Sequence, residues 1–314
     1  MNEQPKLIHV ILGFAAVYII WGSTYLGIAY AIETIPPFLM SGLRFLSAGV
    51  LLFAIAKLKK VKVPPRKEII NASISGILLL VGGNMSVAWA EQYIPSSIAA
   101  IVIASLPIWL VALDKQQWKK ITTDPLLIIG LIIGFAGVAF LIGFDEGFKT
   151  NDSGYLVIAF IVLISAPIFW SSGTIFMRSA KHPNNSFARI TIQMLSSGVV
   201  TILVSLFSGE TIGFQFGEVS LVSWAALAYL VFFGTIIAFS AYIWLVGVKP
   251  PAQVGTYAYV NPIVATLLGW FFRDEPITVQ TILALFIILS GVFMVNYSFA
   301  VQKRKEIKRQ LEST

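Results

Sequence analysis

Gln253, Tyr257 and Asn261 recur every four residues inside an otherwise apolar stretch. On a helix that spacing sets two amides and a phenol along one face. Pro262 follows and removes a backbone hydrogen bond, leaving a carbonyl open to a neighbour or a ligand. Two further i, i+4 pairs, Trp21 with Tyr25 and Trp170 with Thr174, offer ring faces that stack on an amphipathic or cationic solute. Asn84, Trp89, Gln193 and Tyr242 complete the candidate cavity set, and Pro107 and Pro167 mark two more helix breaks. The chemistry on offer is hydrogen bonding and stacking. A purely structural role stands beside each of these readings: the stripe ties helices together, the aromatics pack, and Trp89 anchors at a headgroup layer.

Arg44 is the one strong charge within an apolar stretch. It reads as a gate or structural ion pair with Glu91 or Glu33, or as a direct substrate contact. Ser41 and Ser47 share its approximate face. Catalytic chemistry is poorly provided for. Cysteine is absent, and the two histidines, His9 and His182, fall at the edges of apolar stretches. No carboxylate sits mid-stretch and no G-x-x-x-x-G-K-[ST] loop occurs. Neither metal, cofactor nor general acid–base pair is therefore expected. A carboxylate proton relay inside a span is also missing, which leaves substrate exchange, facilitated flow, or proton use through edge acids such as Glu91.

The elements that must position these residues follow from the charge map. Only 12% of the 314 residues are charged, against about 25% in soluble domains, and mean hydropathy is +0.84. Apolar stretches at about 8–31, 38–56, 69–90, 95–113, 125–143, 154–177, 187–207, 222–247, 252–271 and 278–300 are long enough to cross a bilayer. All 22 Lys and Arg residues except Arg44, Lys149 and Arg273 lie in alternate gaps or in the two tails. Cytoplasmic loops keep an excess of Lys and Arg, so the +7 net charge marks topology rather than nucleic-acid binding. Both termini are placed in the cytoplasm. Lys6 leads directly into a full-length span containing Trp and Tyr, which is not a signal-peptide layout.

The halves resemble each other. Trp89, Pro95 and Pro107 recur at one constant offset as Trp244, Pro250 and Pro262, and Trp21 and Arg44 map at a slightly shorter offset onto Trp170 and Gln193. Five spans per half is an odd number, so the second half must enter the membrane from the opposite side. The expected architecture is all-α and integral to the membrane: ten transmembrane helices as two inverted five-helix repeats, 8–143 and 154–300, with a basic cytoplasmic tail at 301–314. Substrate would sit between the repeats near the midplane. Spans 1, 3, 4, 6, 8 and 9 are expected to line the cavity, with 5 and 10 as packing supports. Gly130, Gly134 and Gly137 in span 5 read as a close helix contact, or else as a homodimer face.

At this point the chain resembles the drug/metabolite transporter superfamily, specifically its EamA-type ten-helix members. The resemblance is carried by IIWGSTYLGI (19–28), PPFLMSGLRFLSAGVLL (36–52) and TYAYVNPIVATLLGWFFRDEPITVQTILALFIILSGVFMV (256–295). The last has a Pro near mid-helix, Glu-Pro in the turn and a Gly-Val pair late in the final helix. The first half departs from it, with Lys120-Ile121 where the second has Glu275-Pro276. The resemblance implies export of amino acids, nucleotide precursors, drugs or other small metabolites. The expectation is a secondary transporter without ATP, not an enzyme, in the bacterial inner membrane. Its partners would be a small-molecule substrate and the lipid bilayer, with no nucleic acid, and the protein would be a monomer or homodimer. The alternative readings are an integral-membrane lipid-modifying enzyme or a channel.

Overall fold

The computed structural model describes residues 7–115, 118, 123–143, 153–183, 185–248, 254 and 257–312. Among them no strand occurs. Helices run over Leu7–Ala31 (α1), Pro37–Leu58 (α2), Arg66–Ala90 (α3), Ser96–Leu113 (α4), Pro125–Gly143 (α5) and Ser153–Ser179 (α6). They continue over Ser186–Ser208 (α7), Leu221–Val248 (α8), Tyr257–Arg273 (α9) and Val279–Glu312 (α10). Seven of these, α1–α4 and α6–α8, are long and apolar enough to cross a membrane, and α5 and α10 contain shorter apolar stretches. Large apolar side chains such as Phe53, Ile132, Ile161, Phe232 and Phe286 stand on the outside. A bilayer accepts such a surface and water does not.

Local chemistry sets the helix ends. Pro36, Pro65 and Pro95 occupy extended N-cap positions, where a fixed φ and a missing N–H cost nothing. Asn185 caps α7 by accepting from Phe187 N (2.9 Å) and Ala188 N (3.3 Å). Gly209 ends α7 at φ +78, a left-handed conformation that a Cβ disfavours. α10 runs on to Glu312, so the basic stretch after 300 continues the helix, as Lys, Arg and Glu readily do. α4 breaks at Ala104–Ser105, just before Pro107, because the ring cannot accept the preceding turn.

The packing order is symmetric between the halves. α2 packs on α7 and α5 on α10, α3 meets α6 as α8 meets α1, and α4 meets α6 as α9 meets α1. The α5–α10 crossing is the tightest: a Cβ on Gly291 would lie 2.5 Å from the Gly134 nitrogen. The glycines of span 5 therefore serve an internal contact. π-helical turns interrupt the middles of α3 (Ile77–Met85) and α8 (Leu230–Phe239), and a third lies in α1 (Ala16–Ile20).

Contacts between turns sort the ends of the molecule. At one end Glu210 accepts from Phe38 N and Leu39 N, Ser220 N donates to Thr34, and Glu275 caps α4. At the other, His182 approaches the Asn71 carbonyl and Arg178 pairs with Asp114 at 3.7 Å. The first end carries Glu33, Glu91, Glu210, Glu218, Asp274 and Glu275; the second carries Lys57, Lys59, Lys60, Lys62, Arg66, Lys67 and Lys181.

Candidate substrate cavity

Four aromatic rings from four helices meet at the centre. Trp21 of α1 lies edge-on to Trp170 of α6 (5.7 Å between centroids) and to Tyr257 of α9 (5.3 Å), and tilted against Tyr242 of α8 (5.0 Å). The Trp21 indole N–H donates to the Gly234 carbonyl at 3.1 Å. That bond uses the polar edge of the ring and leaves its apolar surface to stack. On this cluster rests a cavity of about 60 Å³. Its walls come from α1 (Trp21, Thr24, Tyr25), α3 (Gly83, Asn84, Val87), α4 (Ile103, Leu106), α6 (Pro167, Trp170) and α9 (Tyr257, Asn261). Both halves contribute. Pockets for drug-sized ligands run to about 300–1,000 Å³, so the walls must part to admit a metabolite.

The polar groups are positioned by irregular helix geometry. In the π-turn of α8, Thr235 Oγ1 donates to Leu230 O five residues back (2.9 Å) and accepts from Arg44 Nε (2.8 Å). Arg44 Nη1 donates to Asn84 Oδ1 at 3.1 Å, in the π-turn of α3. The guanidinium thus stands just behind the cavity wall, tied to it through Asn84. The Asn261 amide finds acceptors with its nitrogen toward Tyr18 O (3.0 Å) and Tyr257 O (3.2 Å). Tyr18 lies in the π-turn of α1, where the altered register changes which carbonyls are taken up.

The structure brings together Trp21, Tyr25, Asn84, Trp170, Tyr257 and Asn261, with Pro167 beside them. Tyr242 stands behind, as the fourth ring of the cluster. Span 8 supports the cavity instead of lining it, since α8 gives the Gly234 carbonyl, Thr235 and Tyr242 to its outer layer. Thr174 bonds back to Trp170 O (2.9 Å) and is not among the lining residues. Trp89 is elsewhere, packed on Tyr93 at 5.2 Å. Gln193 is fully buried between helices, donating to Ser75 Oγ at 3.0 Å, and Gly76 stays a glycine because a Cβ there would meet the Gln193 backbone at 2.7 Å. Gln253 falls outside the described residues. Pro262 is buried inside α9 one residue beyond Asn261, and Pro107 is buried in α4 below its break.

Arg44 pairs with neither expected acid. Its partners are Thr235 and Asn84, while Arg273 takes Glu33 and both Glu91 oxygens lack a hydrogen-bond partner. The reason is the π-turn of α8, which turns a threonine hydroxyl toward α2. Sequence periodicity at 3.6 cannot anticipate it. A double-mutant cycle should show Arg44→Ala coupled to Asn84→Ala by about 1.5–3 kcal/mol, the range of hydrogen bonds to charged groups. Arg44→Ala and Glu91→Ala should couple more weakly, through charge alone and without a hydrogen bond. Thermal unfolding in detergent measures both, and strong Arg44–Glu91 coupling would reject this assignment.

Sequence reasoning missed Thr24 and Gly83. Thr24 could have been found three residues after Trp21 on the same face. Gly83 keeps the wall open, since a Cβ there would lie 3.0 Å from the Trp170 ring. Adjacent glycines next to Asn84 were the available signal.

A family model described as the EamA-like transporter family matches residues 8–143 and again 157–297. The chain belongs to this family. As a member it is a multi-pass transmembrane transport protein, and its helices are those of the drug/metabolite transporter superfamily. A similar relative is the uncharacterized inner membrane transporter YedA of Escherichia coli (strain K12), 39% identical over 282 residues, covering 90% of this chain and 88% of YedA. The uncharacterized transporter YvbV of Bacillus subtilis (strain 168) is 25% identical, covering 98% and 97%. A solved crystal structure at 20% identity superposes with a TM-score of 0.63 over 91% of this chain and 96% of its own, which speaks for a shared fold alone.

Proposed function

We propose that the chain is a secondary transporter of the bacterial inner membrane that moves a small neutral or zwitterionic metabolite, such as an amino acid, outward without ATP. It works by alternating access between two inverted five-helix repeats, with both termini and the basic loops in the cytoplasm. The observation that carries this reading is the small aromatic–amide cavity shared by both halves. Rings and amides hold an uncharged or zwitterionic solute by stacking and hydrogen bonding. A polyanion would need several cations at that depth, and the nearest, Arg44, already spends two donors on the protein.

Two ion pairs support the access mechanism. Arg273–Glu33 ties α9 to α1 at the acidic end, and Arg178–Asp114 ties α6 to α4 at the basic end. Exchange of the halves maps one helix pair onto the other. Each mouth opens when its own pair parts, while the other stays shut. The packing order that survives exchange of the halves is what an inverted repeat requires. The sorting of acids and bases between the two ends supports the orientation.

The test is flux in liposomes holding the purified protein, with no nucleotide, an imposed solute gradient and a metabolite panel. Amino-acid movement without ATP is expected. Strict ATP dependence ends the reading, and preference for phosphorylated solutes ends the substrate argument. Trp21→Phe keeps most ring contacts but loses the bond to Gly234. It should weaken apparent substrate affinity by about 1 kcal/mol, severalfold, with folded yield close to wild type. Unchanged affinity would place Trp21 outside the substrate path.

A further inference from the structure

Glu91 is a buried carboxylate with neither oxygen hydrogen-bonded, and every neighbouring charge is otherwise engaged. Arg44 of α2 is held by Thr235 and Asn84. Arg273, at the end of α9, is held by Glu33. Glu275, in the turn after α9, is held by the amides and hydroxyls of Ser96 and Ser97 at the start of α4. The charge of Glu91 also reaches Tyr25 of α1, a cavity wall. A buried acid without a donor is costly in its charged form, so a structure keeps it only with a partner or a proton.

Its place relates it to the cavity. Glu91 follows Val87 by one turn, with its backbone N–H on the Val87 carbonyl at 3.0 Å, and Val87 and Asn84 line the cavity. Position 91 therefore falls on the same side of α3 as Val87, just past the helix end, at the acidic mouth.

We propose that Glu91 is a proton-binding site that couples substrate movement to proton movement across the membrane. The inference rests on the transport reading above. The step is one equilibrium: the carboxylate gains a proton to become the neutral acid and later returns it to water, with no other bond made or broken. Burial, reinforced by the Glu275 carboxylate and only partly opposed by Arg273 and Arg44, holds the Glu91 carboxyl well above the usual carboxylate range. The closed form thus prefers the protonated acid. When the mouth opens and water reaches the group, its affinity falls toward that of an ordinary glutamate, near 4.3, and the proton leaves. Opening and closing of the cavity therefore swing proton affinity, which is what coupling needs.

Two measurements test this on the full chain. In the first, wild type, Glu91→Gln and Glu91→Asp are placed in liposomes with a mixture of labelled amino acids. A one-unit pH gradient should drive about tenfold accumulation if one proton moves per cycle. Glu91→Gln should lose that accumulation while keeping solute-for-solute exchange, and Glu91→Asp should keep it with a shifted pH profile. Undiminished pH-driven accumulation by Glu91→Gln, or wild-type flux that follows a sodium gradient and ignores pH, overturns the proposal. The second measurement needs no transport: the melting temperature is followed from acid to alkaline pH. Because the folded pKa lies above the unfolded one, Glu91 contributes stability that is present at low pH and lost as pH rises through the folded value. Wild type should show this decline and Glu91→Gln should lack that component. Identical pH profiles overturn the proposal even if none of the amino acids is moved, an outcome that by itself counts against the substrate class.

Discussion

Glu275→Ala should unseat the start of α4 and lower stability by about 2–5 kcal/mol. The Glu275 carboxylate accepts from Ser96 N and Ser97 N, each at 3.0 Å, and from both serine hydroxyls, each at 2.6 Å. Four donors and the positive end of the α4 dipole converge on one anion. All of this is buried, so removing the acceptor leaves donors unsatisfied, and each such loss costs about 1–3 kcal/mol. Glu275→Gln should fall between, since an amide offers one acceptor oxygen where the carboxylate offers two. Gly269 belongs to the same device, because a Cβ there would meet Glu275 Oε2 at 2.5 Å. Folded yield and detergent melting temperature measure the effect. A Glu275→Ala protein as stable as wild type would mean that α4 is anchored by packing alone. The Glu-Pro of the family-like turn thus has a physical role, holding the α9–α10 turn against the break between α3 and α4.

Gly291→Val should be about as severe, through sterics. Residue 291 stands where α10 crosses α5, with the Gly134 nitrogen at 2.5 Å and the Gly130 oxygen at 2.7 Å from the place a Cβ would take. Both obstacles are backbone, so no side chain can move aside. The helices must separate, and the overpacking cost of about 1–3 kcal/mol is joined by lost contacts along the interface. Gly291→Ala should already lower the melting temperature, with valine lower again. Because α5 and α10 lie away from the cavity, the folded fraction that remains should transport with unchanged apparent affinity. A variant with normal stability would show that the crossing is looser than the backbone distances imply.

Membrane residence could be read from residues alone, because the bilayer imposes simple demands: length, apolarity and charge sorting. The Trp21–Trp170 correspondence came from the repeat, and the two rings are in contact. Tyr257 and Asn261 could be placed on one face from their i, i+4 spacing, and both line the cavity. Trp89 lies apart from that cavity. An aromatic near a helix end suits a cavity or a packing site equally, and its neighbour Tyr93 decides between them. Gln193 also lies apart from the cavity, since a position related by repeat to Arg44 need not share its surroundings. It is buried against Ser75 of α3 instead.

Arg44 marks the boundary between the two kinds of information. Sequence determined that a cation within an apolar stretch must find polar company, because the cost of an unpaired charge there does not depend on the fold. The identity of that company was decided only in three dimensions. Thr235 is far away in the chain, and the π-turn that aims its hydroxyl arises from the packing of α8 rather than from a motif. Glu33 and Glu91 were the natural candidates by charge, yet Arg273 claimed the first and the second was left without a hydrogen bond. Composition and spacing therefore set which groups need partners and which face of a helix carries them. Tertiary structure chose the partners, because only the crossing of distant helices fixes which donors and acceptors come within about 3 Å.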